Sequence, residues 1–473
     1  MKEVRILWAD DEIDLLKPHI IFLKEKGYEV TAVNNGDSAI ELARINHYDI
    51  IFLDEQMPGI SGLDALAEIK NFKPDIPVIL ITKSEEENIM EAAIGSKISD
   101  YLIKPVNPNQ ILLSLKKNLQ HKELVSQKTT STYQSQFNKL GVDIINASTY
   151  EEWKEVYRKL VFWDSELNNS SDNALDEVLK MQRKEANNNF AKFIKNNYLY
   201  WFSESAQEKP ILSPSLVKQK LFPVIKEQKQ TCFIVIDNLR YDQWVGIRPL
   251  VQEHFNVKDD DLYFSILPTV TQYARNSLFA GLMPLAIENI YPNLWLNDED
   301  EGIKNQYEEQ LFLTQMKRLG YQEKIFFEKV TAVSAGKKLL DKMQHIVSSK
   351  LSVIVYNFVD TLSHARTEMD VIKELAFDEK AYRSLTYSWF SHSPLFEMMK
   401  ELAARGITVV LTTDHGSINV QDPVKVIGDK NVTSNLRYKQ GKALNYNPRE
   451  VFAIKKHKQA HLPACQLTST KKF

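Results

Sequence analysis

Two sets of residues in this sequence have the types and spacing for phosphoryl chemistry. In the first, Asp54 closes the run Tyr48-Asp49-Ile50-Ile51-Phe52-Leu53, Asp10-Asp11 closes Val4 to Ala9, Thr82 closes Ile76 to Ile81, and Lys104-Pro105 follows Tyr101-Leu102-Ile103. Three carboxylates brought together bind a hard cation such as Mg²⁺, which prefers oxygen ligands. The Lys104 ammonium and the Thr82 hydroxyl can hold phosphoryl oxygens, which leaves Asp54 as a carboxylate nucleophile able to form an acyl phosphate. The second set lies past residue 230. Asp237 follows Cys232 to Ile236, Asp360 follows Ser352 to Val359, and Asp414-His415-Gly416 follows Ile407 to Leu411. His364 stands four residues after Asp360, and on a helix both would point to one side. Imidazole with carboxylate suits Zn²⁺ or Mn²⁺ better than Ca²⁺ or Mg²⁺. A lone strand-end aspartate is usually a turn residue, but five ligand-type residues behind three apolar runs point to a metal.

Pro268-Thr269-Val270-Thr271 enters a helical stretch that stops before Gly281. A hydroxyl at a helix N-terminus faces free amides and the positive dipole end, which suits a phosphate oxyanion. A nearby metal would lower its pKa and make an alkoxide nucleophile, whereas alone the residue reads as an ordinary N-cap. Arg275, one turn past Thr271, and Arg437 and Lys439, in the basic stretch 435–442, are candidate contacts to a substrate phosphate.

The elements that must position these residues follow from hydrophobic patterning. Apolar runs without helical period read as strands buried on both faces, and the amphipathic stretches between them read as helices. Leu15, Leu16, Ile20 and Leu23 share one expected helix face, as do Ile111, Leu112 and Leu115. Strand–helix alternation predicts doubly wound parallel sheets, whose strand-end residues gather at one edge. Met57-Pro58-Gly59 turns the chain just past Asp54. From Thr149 the signals become helical, with a capping box at Thr149 to Glu152 and Trp153, Val156, Tyr157 and Leu160 at helical spacing. A further helix is expected after Asn168 to Asp172, with Leu175, Val178 and Leu179 on one face. Ser126 to Gln136 is polar, either a linker or an exposed part of a helix. The expected class is α/β, divided as a doubly wound sheet over 1–120, a small all-α bundle over 121–205 and a second α/β domain over 206–473.

Length and composition agree with this division. At about 150 residues per domain, 473 residues suggest three units. The 59 Lys and Arg against 62 Asp and Glu, net −3, give no electrostatic reason to expect duplex DNA as a partner. The middle segment alternates charge sign and lacks a basic recognition helix, so it reads as a relaying or dimerising spacer. Two distant cysteines, Cys232 and Cys465, argue for a reducing compartment. The N-terminus enters a strand directly and no apolar run is long enough to span a bilayer, so a cytoplasmic location is expected.

Residues 1 to about 120 resemble a two-component response-regulator receiver domain, through Asp10-Asp11, Asp54, Thr82 and Lys104-Pro105. The resemblance implies a phospho-acceptor role for Asp54, Tyr101 as the switch aromatic, the backbone carbonyl of Gln56 as a third ligand to Mg²⁺, and a sensor histidine kinase as partner. Phosphorylation would draw Thr82 and Tyr101 inward and favour a homodimer. Residues 206 to about 450 resemble the alkaline phosphatase superfamily in its PglZ branch, through Pro-Thr-x-Thr followed by Gly281 and Pro284 and through the Asp and His residues named. That resemblance favours Thr271 over Thr269. It implies that Asp237, Thr271, Asp414 and His415 hold one Zn²⁺ while Asp360 and His364 hold another. The family's last histidine, in a His-Gly-Gly-x-Ser segment, has no counterpart, and His457 and His461 are the substitutes the tail offers. The three-part order resembles response regulators of type IX secretion. The expected function is thus a phosphorylation-controlled, zinc-dependent phosphodiesterase or phosphatase, with linear or cyclic oligonucleotide substrates. The alternative is a non-catalytic scaffold or transcription regulator that binds a partner such as a sigma factor.

Overall fold

The computed structural model describes residues 4–83, 98–167, 173–298, 300–418, 420, 422–428, 433, 435, 437–441 and 443–464. Contacts divide the chain into two compact units, one running to Phe137 and the other taking up the chain from Asn138.

In the first unit five strands form a parallel sheet, β1 (Val4–Ala9), β2 (Tyr28–Val33), β3 (Ile50–Asp54), β4 (Val78–Thr82) and β5 (Asp100–Ile103), in the order β2-β1-β3-β4-β5. β3 and β4 are buried on both faces along their whole length and β1 from Ile6 onward, as their apolar runs require. Ile51 and Leu53 point into one core layer, Ile50 and Phe52 into the other. β2 is the strand that patterning does not reveal. It lies at the sheet edge, and its Glu29 and Thr31 interrupt the apolar run. The helix face expected at the start is corrected too: Leu23 is buried, but Leu15 is 72% exposed in the 3-10 turn before the helix Lys17–Glu25. Ile111 and Leu115 are buried as expected, on a helix spanning Pro108–Asn146. The polar stretch 126–136 falls within that helix.

In the second unit β6 (Thr231–Ile236), β7 (Ile325–Val330), β8 (Leu351–Tyr356) and β9 (Thr408–Thr412) form a parallel sheet ordered β7-β8-β6-β9. β6 is therefore flanked by β8 and β9, so the residues beyond all three strands meet at one edge. β7 was not foreseen; it is again an edge strand, with Glu328 and Lys329 in its run. The apolar run into Asp360 is not all strand. β8 ends at Tyr356, and Phe358 and Val359 open the helix Phe358–Glu368, which puts Asp360 in its first turn.

The helices Tyr150–Leu167 and Asn173–Asn197 pack as part of this unit rather than as a separate bundle. The capping box forms: Glu152 accepts from the amides of Ser148 and Thr149, and its own amide donates to Thr149 Oγ1. Trp153 meets Phe190 and Phe193, and Phe190 and Trp201 in turn pack on Phe264. The expected helix start at 168–172 lies outside the described residues, as does Cys465. Among the described residues, no helix is long and apolar enough to cross a membrane.

Candidate functional site

Two acidic pockets sit at the carboxyl edges of the two sheets. In the first, the register of β1, β3 and β4 brings Asp10, Asp11 and Asp54 together, with one oxygen from each within 4.8 Å of the others. Asp10 and Asp54 are buried and Asp11 is exposed at the rim. Lys104 Nζ lies 3.0 Å from Asp10 Oδ2 and 3.0 Å from Asp54 Oδ1. Burial raises the Asp54 carboxyl to about 6, with the Asp10 charge adding to it and the Lys104 hydrogen bond opposing. Burial works against the Lys104 charge, but its bonds to both carboxylates prevail and hold its pKa above the ordinary value. Asp54 Oδ2 is buried without a hydrogen-bond partner. An orphaned carboxylate oxygen in an acidic cluster fits a hard cation such as Mg²⁺.

The loop around this pocket is tightly made. Gly59 adopts φ +87, which the Met57-Pro58-Gly59 turn needs and glycine allows. A Cβ on Gly62 would lie 2.1 Å from the Asp54 carbonyl oxygen, so only glycine fits there. Thr82 Oγ1 donates to Glu55 Oε2 at 3.1 Å, and Tyr101 is half-buried against the core. Gln56 is exposed two residues past Asp54.

In the second pocket Asp237, Asp414 and His415 come together, again with one ligand atom from each within 4.8 Å of the others, and all three are buried. His415 Nε2 is 3.7 Å from Asp237 Oδ1 and 3.7 Å from Asp414 Oδ2. The same nitrogen is 3.1 Å from Thr271 Oγ1. Thr271 is the first residue of the helix Thr271–Ala280, whose end is closed by Gly281 at φ +62. Nδ1 of His415 faces the Gly416 carbonyl at 3.2 Å; a carbonyl only accepts, so the proton sits on Nδ1 and Nε2 carries the lone pair. Arg437 Nη1 also approaches Nδ1, at 3.4 Å, but its two protons are taken by the carbonyls of Thr269 and Gly416.

The backbone holds these groups in place. Tyr263 OH donates to the carbonyls of Thr413 and Asp414, and Ser265 Oγ donates to the latter. Asp414 Oδ1 accepts from the amides of His415 and Asn238. Asp237 Oδ1 and Asp414 Oδ2 are buried without hydrogen-bond partners. Two orphaned carboxylate oxygens beside an imidazole lone pair fit Zn²⁺ or Mn²⁺. Burial, reinforced by Asp414, lifts Asp237 to about 8, although Arg275 pulls the other way. For Asp414 the effect of burial is outweighed by the Arg275 charge and the amide hydrogen bonds to its Oδ1, so it titrates below the ordinary carboxylate value.

Asp360 and His364 stand beside this trio rather than in it. Asp360 Oδ1 accepts from Asn238 Nδ2 at 3.2 Å, and its Oδ2 lies 3.6 Å from His364 Nε2. The His364 side chain is 67% exposed. No described histidine completes a second trio with them. The His461 ring packs against Phe202, and its carbonyl accepts from the Leu285 amide. His457 lies in the 3-10 turn His457–Ala460.

Arg275 is corrected as a phosphate contact. It is wholly buried, with Nη1 2.8 Å from Asp237 Oδ2 and Nε 2.6 Å from Glu308 Oε1, and a substrate cannot reach it. Lys439 Nζ is committed to the Thr433 carbonyl at 3.0 Å, whereas Arg437 stands at the pocket through Thr269 and Gly416. Patterning missed Glu308, which holds Arg275 from behind, and Asn238, which joins Asp414 to Asp360. Asn238 adopts φ +61, a conformation asparagine tolerates better than most residues, and an Asp-Asn pair closing an apolar run was its only signal.

Comparison with known proteins finds three family matches along the chain. Residues 6–116 match the model of a response regulator receiver domain, 123–202 that of a PorX response regulator linker domain, and 216–469 that of a BREX system PglZ alkaline phosphatase-like domain. The last covers more than half of the chain. The transcriptional regulatory protein ZraR of Klebsiella oxytoca is 34% identical over 140 residues, 30% of this chain and 32% of that protein. The transcriptional regulatory protein ResD of Bacillus subtilis is 32% identical over 114 residues, 24% of this chain and 47% of that protein. The chain thus spans a third to a half of the length of these curated relatives. Among solved structures, a response regulator receiver domain protein from Clostridium thermocellum is 28% identical, covering 26% of this chain and 98% of that one at a TM-score of 0.24.

Proposed function

Because the chain belongs to the PglZ family, with a receiver domain and a PorX-type linker ahead of its alkaline phosphatase-like domain, we propose that it is a response regulator in which phosphorylation of Asp54 controls a metal-dependent phosphodiesterase or phosphatase. The observation that carries this reading is the Thr271 hydroxyl 3.1 Å from His415 Nε2, beside the orphaned oxygens of Asp237 and Asp414. Asp237, Asp414 and His415 would hold Zn²⁺, which when bound supplies a Lewis acid and lowers the pKa of a neighbouring hydroxyl. Thr271 Oγ1 is the nucleophile: it forms a bond to phosphorus as the ester oxygen departs. The Nε2 lone pair of His415 can ligate a cation or accept the Thr271 proton, not both, so ligation sends that proton to water. Arg437 at the pocket rim neutralises a phosphoryl oxygen. Asp360 and His364 are the remaining candidates for a second cation, and linear or cyclic oligonucleotides are the substrate class.

A receiver domain implies a cognate sensor kinase. Control of type IX secretion, homodimer formation on phosphorylation and contact with a sigma factor belong to the same proposal. The test is Thr271→Val in the full chain with a chromogenic phosphodiester. Turnover should vanish while the melting temperature and zinc binding persist; full activity would remove Thr271 from the mechanism.

A further inference from the structure

Beside the second pocket, seven charged side chains that the chemistry does not use form one continuous run of ion pairs. Asp164, on the linker helix Tyr150–Leu167, pairs with Arg183 at 3.3 Å and with Arg383. Arg383 Nη1 reaches Asp242 Oδ2 at 3.2 Å. Asp242 receives Arg240 through both oxygens, at 2.9 and 2.6 Å. Arg240 Nη1 continues to Glu379 Oε2 at 2.5 Å, and Glu379 Oε1 accepts from Arg366 Nη1 at 2.8 Å.

The run connects to the site at two points. Arg240 follows Asp237-Asn238-Leu239 directly, the segment in which Asn238 holds φ +61 while bonding to Asp414 and Asp360. Arg366 lies two residues past His364 on the helix Phe358–Glu368. Both the Asp237 segment and the helix carrying Asp360 and His364 are therefore anchored, through fixed charges, to one carboxylate of the linker. Apolar packing already joins the linker helix to this domain, as Tyr157 against Tyr241 shows. Buried ion pairs add little net stability over such packing, because desolvation offsets their attraction. What they add is direction, most of all at the Arg240–Asp242 link, where a two-pronged guanidinium–carboxylate pair tolerates little rotation.

From this geometry we infer that Asp164 is a positioning residue: the linker helix sets the placement of the Asp237 segment and of the Asp360–His364 helix through Arg383, Asp242, Arg240, Glu379 and Arg366. The inference rests on the phosphoesterase reading of the site, but cation affinity reports on it without turnover. It makes the linker part of the output site, so a change in the linker helix is felt where substrate binds.

The experiment compares the full chain with Asp164→Asn, Asp164→Glu and Arg183→Met, using Lys350→Met at an exposed ion pair as control. Zinc affinity is read by chelator competition, kcat and KM with bis(p-nitrophenyl) phosphate, and Tm by thermal melting. Asp164→Asn should weaken zinc binding and lower kcat by about tenfold, the low end for residues that orient metal ligands. KM should stay within about twofold, and Asp164→Glu should recover most of the loss. Adding Arg383→Met to Asp164→Asn should cost little more, because both break one chain. If zinc affinity and kcat stay at the control's values while only Tm falls, the role is structural and the inference is overturned. Should no protein turn over the diester, weaker zinc binding in Asp164→Asn still supports positioning while the phosphoesterase reading fails. If Asp164→Asn does not fold, Arg183→Met decides: a loss in the same direction supports the inference and control-like values overturn it.

Discussion

Lys104 in the receiver and Arg275 in the output domain hold equivalent stations, each a cation against carboxylates at the carboxyl edge of a parallel sheet, yet they are held in opposite ways. Lys104 reaches across from the strand end after β5 on a flexible stem, touches Asp10 and Asp54, and keeps 12% of its side chain accessible. Arg275 has none, and Glu308 clamps it from behind while Lys329 Nζ lies 3.0 Å from the other oxygen of Glu308. A lysine ammonium can move from a carboxylate to an incoming phosphoryl group; a clamped guanidinium cannot. The difference fits a pocket whose charge changes with a signal, set against a pocket whose shape must persist through each turnover.

Removing each cation sharpens this contrast most. Arg275→Met leaves Asp237 buried without its counter-charge and Glu308 with Lys329 alone, and should cost about 3–5 kcal/mol in denaturant unfolding. Lys104→Met should cost less, and added Mg²⁺ should recover that loss because it meets the same oxygens. Equal losses, indifferent to Mg²⁺, would break the comparison. Gly62→Ala comes next: its Cβ would press on the Asp54 carbonyl, at about 1–3 kcal/mol for an overpacked site. It should weaken Mg²⁺ binding to the receiver and leave zinc binding unchanged.

The two pockets should also separate by pH. Asp54 in the first pocket and Asp237 in the second must each lose a proton to bind a cation, and both are raised above the ordinary carboxylate value, so affinity falls as pH drops through the raised value. Mg²⁺ binding by the receiver should therefore weaken below about 6, where Asp54 takes up a proton. Zinc binding should keep strengthening up to about 8, where Asp237 loses its own. Calorimetric titrations across this range check both, and coincident midpoints would erase the distinction.

The parts of this account that the sequence made legible share one physical origin. Asp54 ends and Asp237 follows a strand buried on both faces, which announces itself by an unbroken apolar run, and Asp414 follows β9, an edge strand whose Val409-Val410-Leu411 run stays apolar. β2 and β7 were illegible because edge strands carry Glu29 or Glu328 and Lys329 on faces a central strand would bury. The run into Asp360 misled in the other direction: Phe358 and Val359 extend the apolar pattern past the true end of β8 into a helix. Spacing placed Arg275 one turn past Thr271, but it carries no information on depth, and depth turned a phosphate contact into a buried brace. The linker's membership of the second unit rests on tertiary contacts such as Phe190 with Phe264, which no local pattern encodes.

The central claim is that Asp237, Asp414 and His415 hold a catalytic cation beside Thr271. The most direct measurement is diester turnover as Zn²⁺ is titrated into the metal-stripped full chain and its Asp414→Asn variant. Turnover should be absent without metal, rise with stoichiometric binding in the parent chain and fail to rise in the variant. Activity that survives stripping, or that Zn²⁺ restores equally in both proteins, would contradict it.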